Sequence, residues 1–153
     1  MGLVTDTTNN DLTYRIIGAA MAVHNRLGSG YKEEVYEKSL LAELANCGIA
    51  ACAQYPVEVH YQETQVGLFY LDILAQDQVV IEVKALSHAL TNDELAQVIN
   101  YLKAGCYPVG LLFNFGRRKL EFRRIFPPKE KDTPVERVGR DNVGKSFHIE
   151  PQE

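Results

Sequence analysis

Apolar residues recur every three or four positions over the first third of the chain, which is the spacing of an amphipathic helix. One such stripe predicts a helix that Asn10 or Asp11 caps and that Gly28 ends. Its members are Leu12, Ile16, Ala20, Val23 and Leu27. A second stripe predicts another helix that ends near Gly48. Its members are Val35, Tyr36, Leu40, Leu41 and Leu44. The pattern therefore predicts that the chain opens with a pair of helices.

From Pro56 the apolar pattern changes to a period of two, which is the side-chain period of a β-strand. A polar turn joins the first two alternating segments, and Asp77-Gln78 separates the second segment from the third. The three predicted strands span residues 57–61, 66–74 and 79–86. Because short connections join consecutive strands, we expect an antiparallel meander.

The pattern then predicts one more helix and two more strands. Thr91 or Asn92 can cap a helix that stops near Gly105. The near-continuous apolar run at residues 109–115, VGLLFNF, is typical of a central strand that is buried on both faces. Residues 119–126 complete the series as a last strand. The predicted order of elements is ααβββαββ.

This order favours a single α/β domain with a mixed α+β sheet. The chain has 153 residues and 46% hydrophobic content, which is enough to bury a sizeable core. We expect the domain to occupy residues 1–126. Residues 127–153 mix charges with Pro and Gly, so we expect a weakly packed or mobile C-terminal tail.

Composition excludes several classes of protein. No apolar run approaches the roughly 18–20 residues that cross a bilayer, and the first residues lack the basic-then-apolar order of a secretory signal. Cys47, Cys52 and Cys106 follow no metal-ligand spacing, so they fit small buried or partly buried thiols in a reducing compartment. We therefore expect a cytoplasmic protein that does not associate with membranes.

The net charge of −4 opposes a general attraction to nucleic acid, but the charge is unevenly distributed. Residues 117–124, RRKLEFRR, hold five basic side chains against one acid. We call these side chains the basic strip: Arg117, Arg118, Lys119, Arg123 and Arg124. A local strip of this kind can contact phosphates on an acidic protein, although charged clusters are more often solvated surface.

Two opposite charges interrupt the apolar third strand. Because strand side chains alternate, Glu82 and Lys84 share one face of it. In the preceding strand, the same rule sends Leu71 and Ile73 to one face and Asp72 to the other. Counting outward from the turn sets Asp72 beside Glu82 or its neighbour. Two acids and one base are thus expected to meet in a partly dry place.

Two explanations of these charges remain open at this point. Glu82 and Lys84 can form a buried salt bridge, but desolvation costs several kcal/mol per ion and leaves little net stabilisation. A divalent cation gives a stronger reason, because Asp72 and Glu82 supply hard oxygen ligands. Mg²⁺ often takes only one or two protein carboxylates and completes its shell with water and phosphate.

The same residues resemble a known nuclease signature. Asp72, nine further residues and then EVK at 82–84 resemble the core signature of the PD-(D/E)XK nuclease superfamily. GYKEEVY at 30–36 matches the G-x-x-E-x-x-Y signature of the GxxExxY protein family within it. Leu71, rather than Pro, precedes the aspartate. The resemblance runs from about Tyr14 to Phe126 and implies a restriction-endonuclease-like αβββαβ core with an extra N-terminal helix.

The resemblance also implies roles for the charged residues. Asp72 and Glu82 match the metal-binding carboxylates of the superfamily, and Lys84 matches its active-site lysine. The implied cofactor is Mg²⁺ or Mn²⁺. Glu33 matches a helical glutamate that adds a ligand or orients a metal-bound water. Its simpler explanation is that it stabilises the start of its helix through the helix dipole.

Two further residues resemble a motif that follows the lysine in RecB-like nucleases. Gln97 and Tyr101 form a Q-x-x-x-Y pair and share one helix face, so both can point toward the site. They can equally be ordinary, partly exposed helix residues. Tyr36 and His24 lie on or beside apolar stripes, which favours core packing and a satisfied structural histidine over chemistry.

Two classes of function follow from these residues. The first is a metal-dependent nuclease that hydrolyses phosphodiester bonds of DNA or RNA. Enzymes supply about 20 kcal/mol for such slow reactions, whereas one general base supplies about 3–5 kcal/mol, so carboxylates alone would not suffice. The second is a catalytically silent module that binds nucleic acid or a protein partner through the basic strip. A homodimer would enlarge the surface available to nucleic acid in either class.

Overall fold

A computed structural model of the chain describes residues 3–129 and 146–147, with side chains from residue 11 to residue 129. Over these residues it contains three helices and a six-stranded mixed sheet. In chain order the elements are α1 Leu3–Leu27, α2 Glu33–Asn46, β1 Ala51–Tyr61, β2 Thr64–Ala75, β3 Val79–Lys84, α3 Asn92–Gly105, β4 Val109–Asn114, β5 Glu121–Ile125 and β6 Ser146–Phe147.

The strands lie in the order β5-β4-β3-β2-β1-β6. β1, β2 and β3 form the predicted antiparallel meander. α3 then crosses over one face of the sheet, so that β4 runs parallel to β3, and β5 returns antiparallel to β4. The predicted mixed α/β fold with a restriction-endonuclease-like αβββαβ core is confirmed.

Apolar side chains cover both faces of the sheet, which lies between two helical layers. α1 and α2 pack on one face, against a cluster that includes Ile81 and Phe113. α3 packs on the other face, against Val80 and Leu112. β4 is buried at every position, as its apolar sequence predicted, because it receives helices on both sides.

The helix ends test the predicted caps. α1 begins at Leu3, so the predicted cap at Asn10 or Asp11 is wrong, although its end before Gly28 is confirmed. Asn and Asp cost less than about 0.7 kcal/mol inside a helix, so they do not force a helix to start there. α3 begins after Thr91 as predicted. The Asp93 N–H donates to Thr91 Oγ1 at 3.3 Å, which satisfies one free donor of the first turn.

The turn before α2 is fixed by a glycine and a tyrosine. Gly30 has a φ of 118°, which a residue with a side chain rarely adopts. The Tyr36 hydroxyl donates to the Gly28 carbonyl at 2.6 Å and accepts the Tyr31 N–H at 3.2 Å. Its ring stacks on Phe115 at 4.7 Å. The predicted core role of Tyr36 is confirmed, and it anchors the start of α2 to the sheet.

The three cysteines are free but exposed, so their predicted burial is wrong. The physical reason is their position at element ends: Cys47 and Cys106 follow α2 and α3, and Cys52 lies near the start of β1. Side chains at such ends face solvent more often than those at the middle of an element. Within the described ranges, no helix is long and apolar enough to cross a membrane.

The predicted tail, residues 127–153, lies mostly outside the described residues. Its Ser146–Phe147 segment forms β6, a strand that the apolar pattern did not predict. β6 runs parallel to the end of β1, pairing with His60 and Tyr61. The sheet is therefore extended on the side of β1 by two residues that are distant in sequence.

Candidate active site

β2 and β3 pair over only part of their length. The ladder joins Ala75 to Val79, Leu74 to Val80 and Ile73 to Ile81, and ends there. The next residues are two carboxylates, Asp72 on β2 and Glu82 on β3. Asp72 is half-buried, and Glu82 keeps only 3% of its surface exposed. The two acids thus lie where the strands separate, as the count from the hairpin turn predicted.

The carboxylates make hydrogen bonds with backbone amides across this gap. The Val83 N–H donates to Asp72 Oδ2 at 2.8 Å, and the Asp72 N–H donates to Glu82 Oε1 at 3.3 Å. Side-chain oxygens thereby take the place of the carbonyl acceptors of a regular ladder. This arrangement holds both acids at the edge of the core without leaving their neighbouring amides unpaired.

This arrangement disfavours the ionised form of Glu82. Burial, and next the negative charge of Asp72, raise the pKa of Glu82 to about 9. Lys84 opposes this rise in pKa, but it is the weakest of the contributions. Buried charges in proteins are normally paired or bound to a metal, so this pair lacks sufficient positive charge of its own.

The donor set fits a hard divalent cation. Asp72 and Glu82 present carboxylate oxygens, which suit Mg²⁺ and Mn²⁺. Within the part of the chain that the structure describes, no group of three or more His, Cys, Asp or Glu side chains is arranged to hold a metal ion. A cation here would therefore have two protein carboxylates, which is a common number for Mg²⁺, with oxygens of water or substrate as its other ligands.

Lys84 lies beside the acids without forming an ion pair with Glu82. Its Nζ donates to Gln97 Oε1 on α3 at 3.1 Å. No ion pair within 4.0 Å joins Lys84 to Glu82 among the described residues, so the simple buried salt bridge is not formed. The ammonium group is held at the half-buried end of β3 by a neutral amide, which leaves its charge available to another anion.

α3 brings two further predicted residues to the site. Burial, followed by the charges of Glu82 and Asp72, raises the pKa of Tyr101, whereas a Gln97 hydrogen bond lowers it. Tyr101 also packs on Phe69 of β2, with ring centroids 4.9 Å apart. Gln97 and Tyr101 are thus neighbours of the carboxylate pair rather than ordinary surface residues.

A groove adjoins these residues between β2 and α3. Its volume is about 400 Å³. It is lined by Phe69, Asp93, Ala96, Gln97, Asn100 and Tyr101. Because Gln97 also holds Lys84, this groove adjoins the charged groups.

Glu33 is exposed, unlike the other predicted catalytic and metal-binding residues. It is exposed in the first turn of α2, a position where an acid also stabilises the helix dipole. One turn later on the same helix face, Glu37 is half-buried. Burial raises the pKa of Glu37, and the charges of Asp72 and Glu33 raise it further. Glu37 was missed from the sequence, although its spacing of four from Glu33 was the available signal.

Asn114 was also missed, and it holds the loop that follows Lys84. It is fully buried at the end of β4, beside Lys84 on β3. Its Oδ1 accepts the Leu86 N–H at 2.9 Å and the Gly116 N–H at 3.1 Å, and its Nδ2 donates to the His88 carbonyl at 2.9 Å. A lone amide inside an apolar strand was the available signal, because buried amides need partners.

The basic strip lies at the same end of the sheet as Lys84, because the turn between β4 and β5 follows the parallel pair of β3 and β4. Arg117 and Arg123 approach Glu121 at 3.9 and 3.6 Å. Arg118 and Lys119 are exposed in the turn. Arg124 lies on β5 beside Arg123, on the opposite face. The strip is therefore near the site but is not part of it.

His24 of α1 contacts the turn between β4 and β5. It is buried in α1, and its Nε2 lies 2.9 Å from the Arg117 carbonyl oxygen, an acceptor to which the imidazole N–H donates. Its ring also packs near Phe115. The predicted structural role of His24 is confirmed, since it ties α1 to the loop after β4.

Comparison with known protein families gives one match. Residues 10–125 match a sequence-family model described as the PD-(D/E)XK nuclease superfamily. The match contains all three helices except the start of α1, both carboxylates, Lys84 and the whole basic strip. No curated protein and no solved structure matches the chain.

Proposed function

This chain belongs to the PD-(D/E)XK nuclease superfamily, and on that basis we propose that it hydrolyses phosphodiester bonds of DNA or RNA. The observation that carries the proposal is the carboxylate pair of half-buried Asp72 and buried Glu82, with Lys84 beside it. Such a pair is costly for stability alone, because each buried charge loses its hydration. It is well suited to a site that binds a cation.

In this proposal Asp72 and Glu82 hold a Mg²⁺ or Mn²⁺ ion. When bound, the ion supplies Lewis-acid polarisation of a phosphoryl oxygen and lowers the pKa of a coordinated water. Glu82 must release its proton to act as a ligand, since its pKa is about 9 in the ion's absence. Both ligands are then kept in place by hydrogen bonds from backbone amides: Asp72 accepts the Val83 N–H, and Glu82 accepts the Asp72 N–H.

Lys84 is the proposed catalytic cation. Its ammonium group, held by Gln97, would hydrogen-bond the attacking water or neutralise charge that develops on the phosphate. Gln97 fixes the position of Lys84, and Tyr101 borders the carboxylates from α3. Glu33 is proposed to assist through a water that reaches the metal, because its carboxylate is exposed.

The basic strip is proposed to contact the phosphate backbone of the nucleic acid. Arg117, Arg118 and Lys119 are exposed in the turn, and Arg117 and Arg123 lie near the Glu121 carboxylate. Because its turn lies at the Lys84 end of the sheet, we expect one strand of nucleic acid to contact both the basic strip and the carboxylate site. Such contacts supply affinity that falls as salt rises, without sequence preference.

Several finer predictions belong to the same proposal. The GYKEEVY stretch at 30–36 supports assignment to the GxxExxY family, where Gly30 makes the turn and Tyr36 anchors the helix. A homodimer and a cytoplasmic location stay predictions. Light scattering on the purified protein tests the first, and imaging of a tagged chain in cells tests the second.

Cleavage assays test the enzyme directly. The purified protein is incubated with single- and double-stranded DNA and RNA in Mg²⁺ or Mn²⁺, and then in EDTA. The Lys84→Ala variant is expected to lose about a hundredfold or more of the cleavage rate, because one charge-stabilising group is typically worth that much. Lys103→Ala, at an exposed lysine in the last turn of α3, is the matched control and should cleave normally.

Either of two results would contradict the proposal. Cleavage that persists in EDTA or in Lys84→Ala indicates a contaminating nuclease. Binding of nucleic acid without any cleavage by the wild-type protein indicates the silent module instead.

A further inference from the structure

Gln54 on β1 lies opposite Asp72 on β2, and it has an unusual backbone conformation. Its φ is 51°, in the left-handed region. The register of the two strands leaves Gln54 and Asp72 unpaired, although the ladder is present on both sides. The flanking pairs are Ala53 with Ile73 and Tyr55 with Leu71. The ladder is thus interrupted at the position of the metal-ligand candidate.

A left-handed residue inside a strand is exceptional in this protein. Four other described residues besides glycine have a positive φ. They lie in turns or directly after a helix, and they are Gln62, Gln76, Asp77 and Cys106. Only Gln54, among the described residues, lies within a strand. Such a conformation costs free energy and persists where the surroundings fix it, most often at functional sites.

The interruption coincides with a break in the alternation of β2. Leu71 packs in the cluster beneath α3, whereas Ile73 packs in the cluster beneath α1 and α2. In a regular strand, residues two apart lie on the same face, so the prediction that these two do so is wrong. The backbone turns between them, at Asp72. On the β3 side, the Asp72 carboxylate accepts the Val83 N–H.

The side chain of Gln54 is anchored on α2. Its Nε2 donates to Glu37 Oε1 at 2.6 Å. Glu37 is half-buried. Burial raises its pKa, its hydrogen bond with Gln54 lowers it, and the negative charge of Asp72 raises it. This hydrogen bond connects the strained Gln54 to α2, and such a contact can hold the conformation of Gln54.

We propose that Gln54 and Glu37 are positioning residues for Asp72. The left-handed Gln54 interrupts the ladder opposite Asp72, and its bond to Glu37 holds that conformation, so that the Asp72 carboxylate points into the gap between β2 and β3. The inference rests on the proposed function in so far as Asp72 is a metal ligand. The direction of the Asp72 side chain is independent of the metal and can be measured without it.

Three variants separate backbone conformation from side-chain contact. Gln54→Val favours an extended strand, because β-branched residues strongly disfavour a positive φ. Gln54→Gly tolerates the left-handed backbone but removes the bond to Glu37. Gln62→Val is the matched control, since Gln62 has a φ of 55° in the turn between β1 and β2, away from the carboxylates.

Two measurements are made on each variant. Hydrogen exchange of the Val83 amide, followed by NMR in EDTA, reports its bond to Asp72 in the metal-free protein. Calorimetric titration with Mn²⁺ reports the affinity of the site. Gln54→Val is expected to speed Val83 exchange and to weaken Mn²⁺ binding roughly tenfold or more, as loss of a supporting residue typically does. Gln54→Gly should be intermediate, and Gln62→Val should match the wild type in both.

The outcomes distinguish this inference from the proposed function. If folded Gln54→Val keeps the wild-type Val83 exchange rate, the inference is overturned. If the wild-type protein binds no Mn²⁺, the proposed function fails, and Val83 exchange alone decides the role of Gln54. Should Gln54→Val not fold, Glu37→Ala removes the anchor from the other side. It is then expected to speed Val83 exchange, and an unchanged rate would overturn the inference.

Discussion

The two halves of the β2–β3 hairpin differ in which acceptors their backbone N–H groups use. Near the turn, apolar residues such as Ile73 and Ile81 pair through a regular ladder and are fully buried. Beyond them, Asp72 and Glu82 replace the ladder with side-chain hydrogen bonds. Burial of apolar side chains and backbone pairing stabilise the first half. The second half stabilises the fold less, because it keeps two acids together where the ladder ends.

This difference indicates which half serves stability and which serves function. In the apolar half every group is satisfied by its neighbours, so nothing further is needed. In the acidic half the pKa of Glu82 is raised to about 9. The metal-free folded chain therefore favours the protonated carboxyl group at neutral pH, whereas a glutamate in water is ionised. Residues that are unfavourable for folding and cluster in one place mark a candidate active site.

The largest expected effect comes from neutralising the acidic half. Glu82→Gln keeps the size of the side chain but removes the carboxylate ligand. We expect its cleavage rate to fall about a thousandfold or more, which corresponds to roughly 4 kcal/mol of activation free energy. Its melting temperature should be equal to or above that of the wild type, because a neutral amide replaces a carboxyl group whose charged form burial disfavours. Single-turnover cleavage and thermal unfolding measure the two quantities; equal cleavage rates would remove Glu82 from the site.

The pH dependence of stability sharpens the comparison in the metal-free protein. The pKa of Glu82 is about 9 in the folded chain, above its ordinary value of 4.5. The folded state therefore binds the proton more tightly than the unfolded state does. Its stabilising contribution is complete below pH 4.5 and is lost as the pH rises toward 9, by up to a few kcal/mol.

Denaturant unfolding in EDTA across this pH range measures that slope, and Glu82→Gln is the control that should flatten it. Saturating Mn²⁺ should stabilise the wild type most at high pH, by about 2.7 kcal/mol at a hundred times the dissociation constant. A slope that is the same in the wild type and in Glu82→Gln would mean that another group titrates.

The smallest effect is expected in the apolar half. Ile81→Val removes one buried methylene group and should lower the free energy of unfolding by about 0.5–1.5 kcal/mol. The Mn²⁺ affinity and the cleavage rate of the folded variant should stay at wild-type values, because Ile81 faces α1 and α2 rather than the carboxylates. A loss of Mn²⁺ affinity comparable to that of Glu82→Gln would show that the two halves are not separate.

Local patterns predicted most of the fold. The helical stripe that includes Tyr36 and Leu40, the alternation before Ala75 and the apolar run at 109–115 each describe one element, and each formed where expected. These signals are reliable because burial of one helix stripe or one strand face depends on residues that are close in sequence. The helix start at Leu3 was missed because a capping residue is only a weak local preference.

The proximity of the carboxylates could also be anticipated. A hairpin with a short turn fixes which residues face each other, so Asp72 and Glu82 had to lie close together. The exposure of Glu33, the half-buried Glu37 and the left-handed Gln54 could not be anticipated in this way. They depend on how α2 approaches the sheet, which is a contact between segments that no periodicity connects.

The sequence by itself determined the three helices, five of the six described strands, their order and the chemistry of the acids and the lysine at the end of β3. It did so because the periods of helices and strands and the register of a hairpin are local properties. Only the tertiary structure decided that Asp72 leaves the ladder, that Gln97 holds Lys84 and that Glu37 faces the site. Those outcomes depend on packing α2 and α3 against opposite faces of the sheet, and long-range packing overrides the regular alternation of a strand.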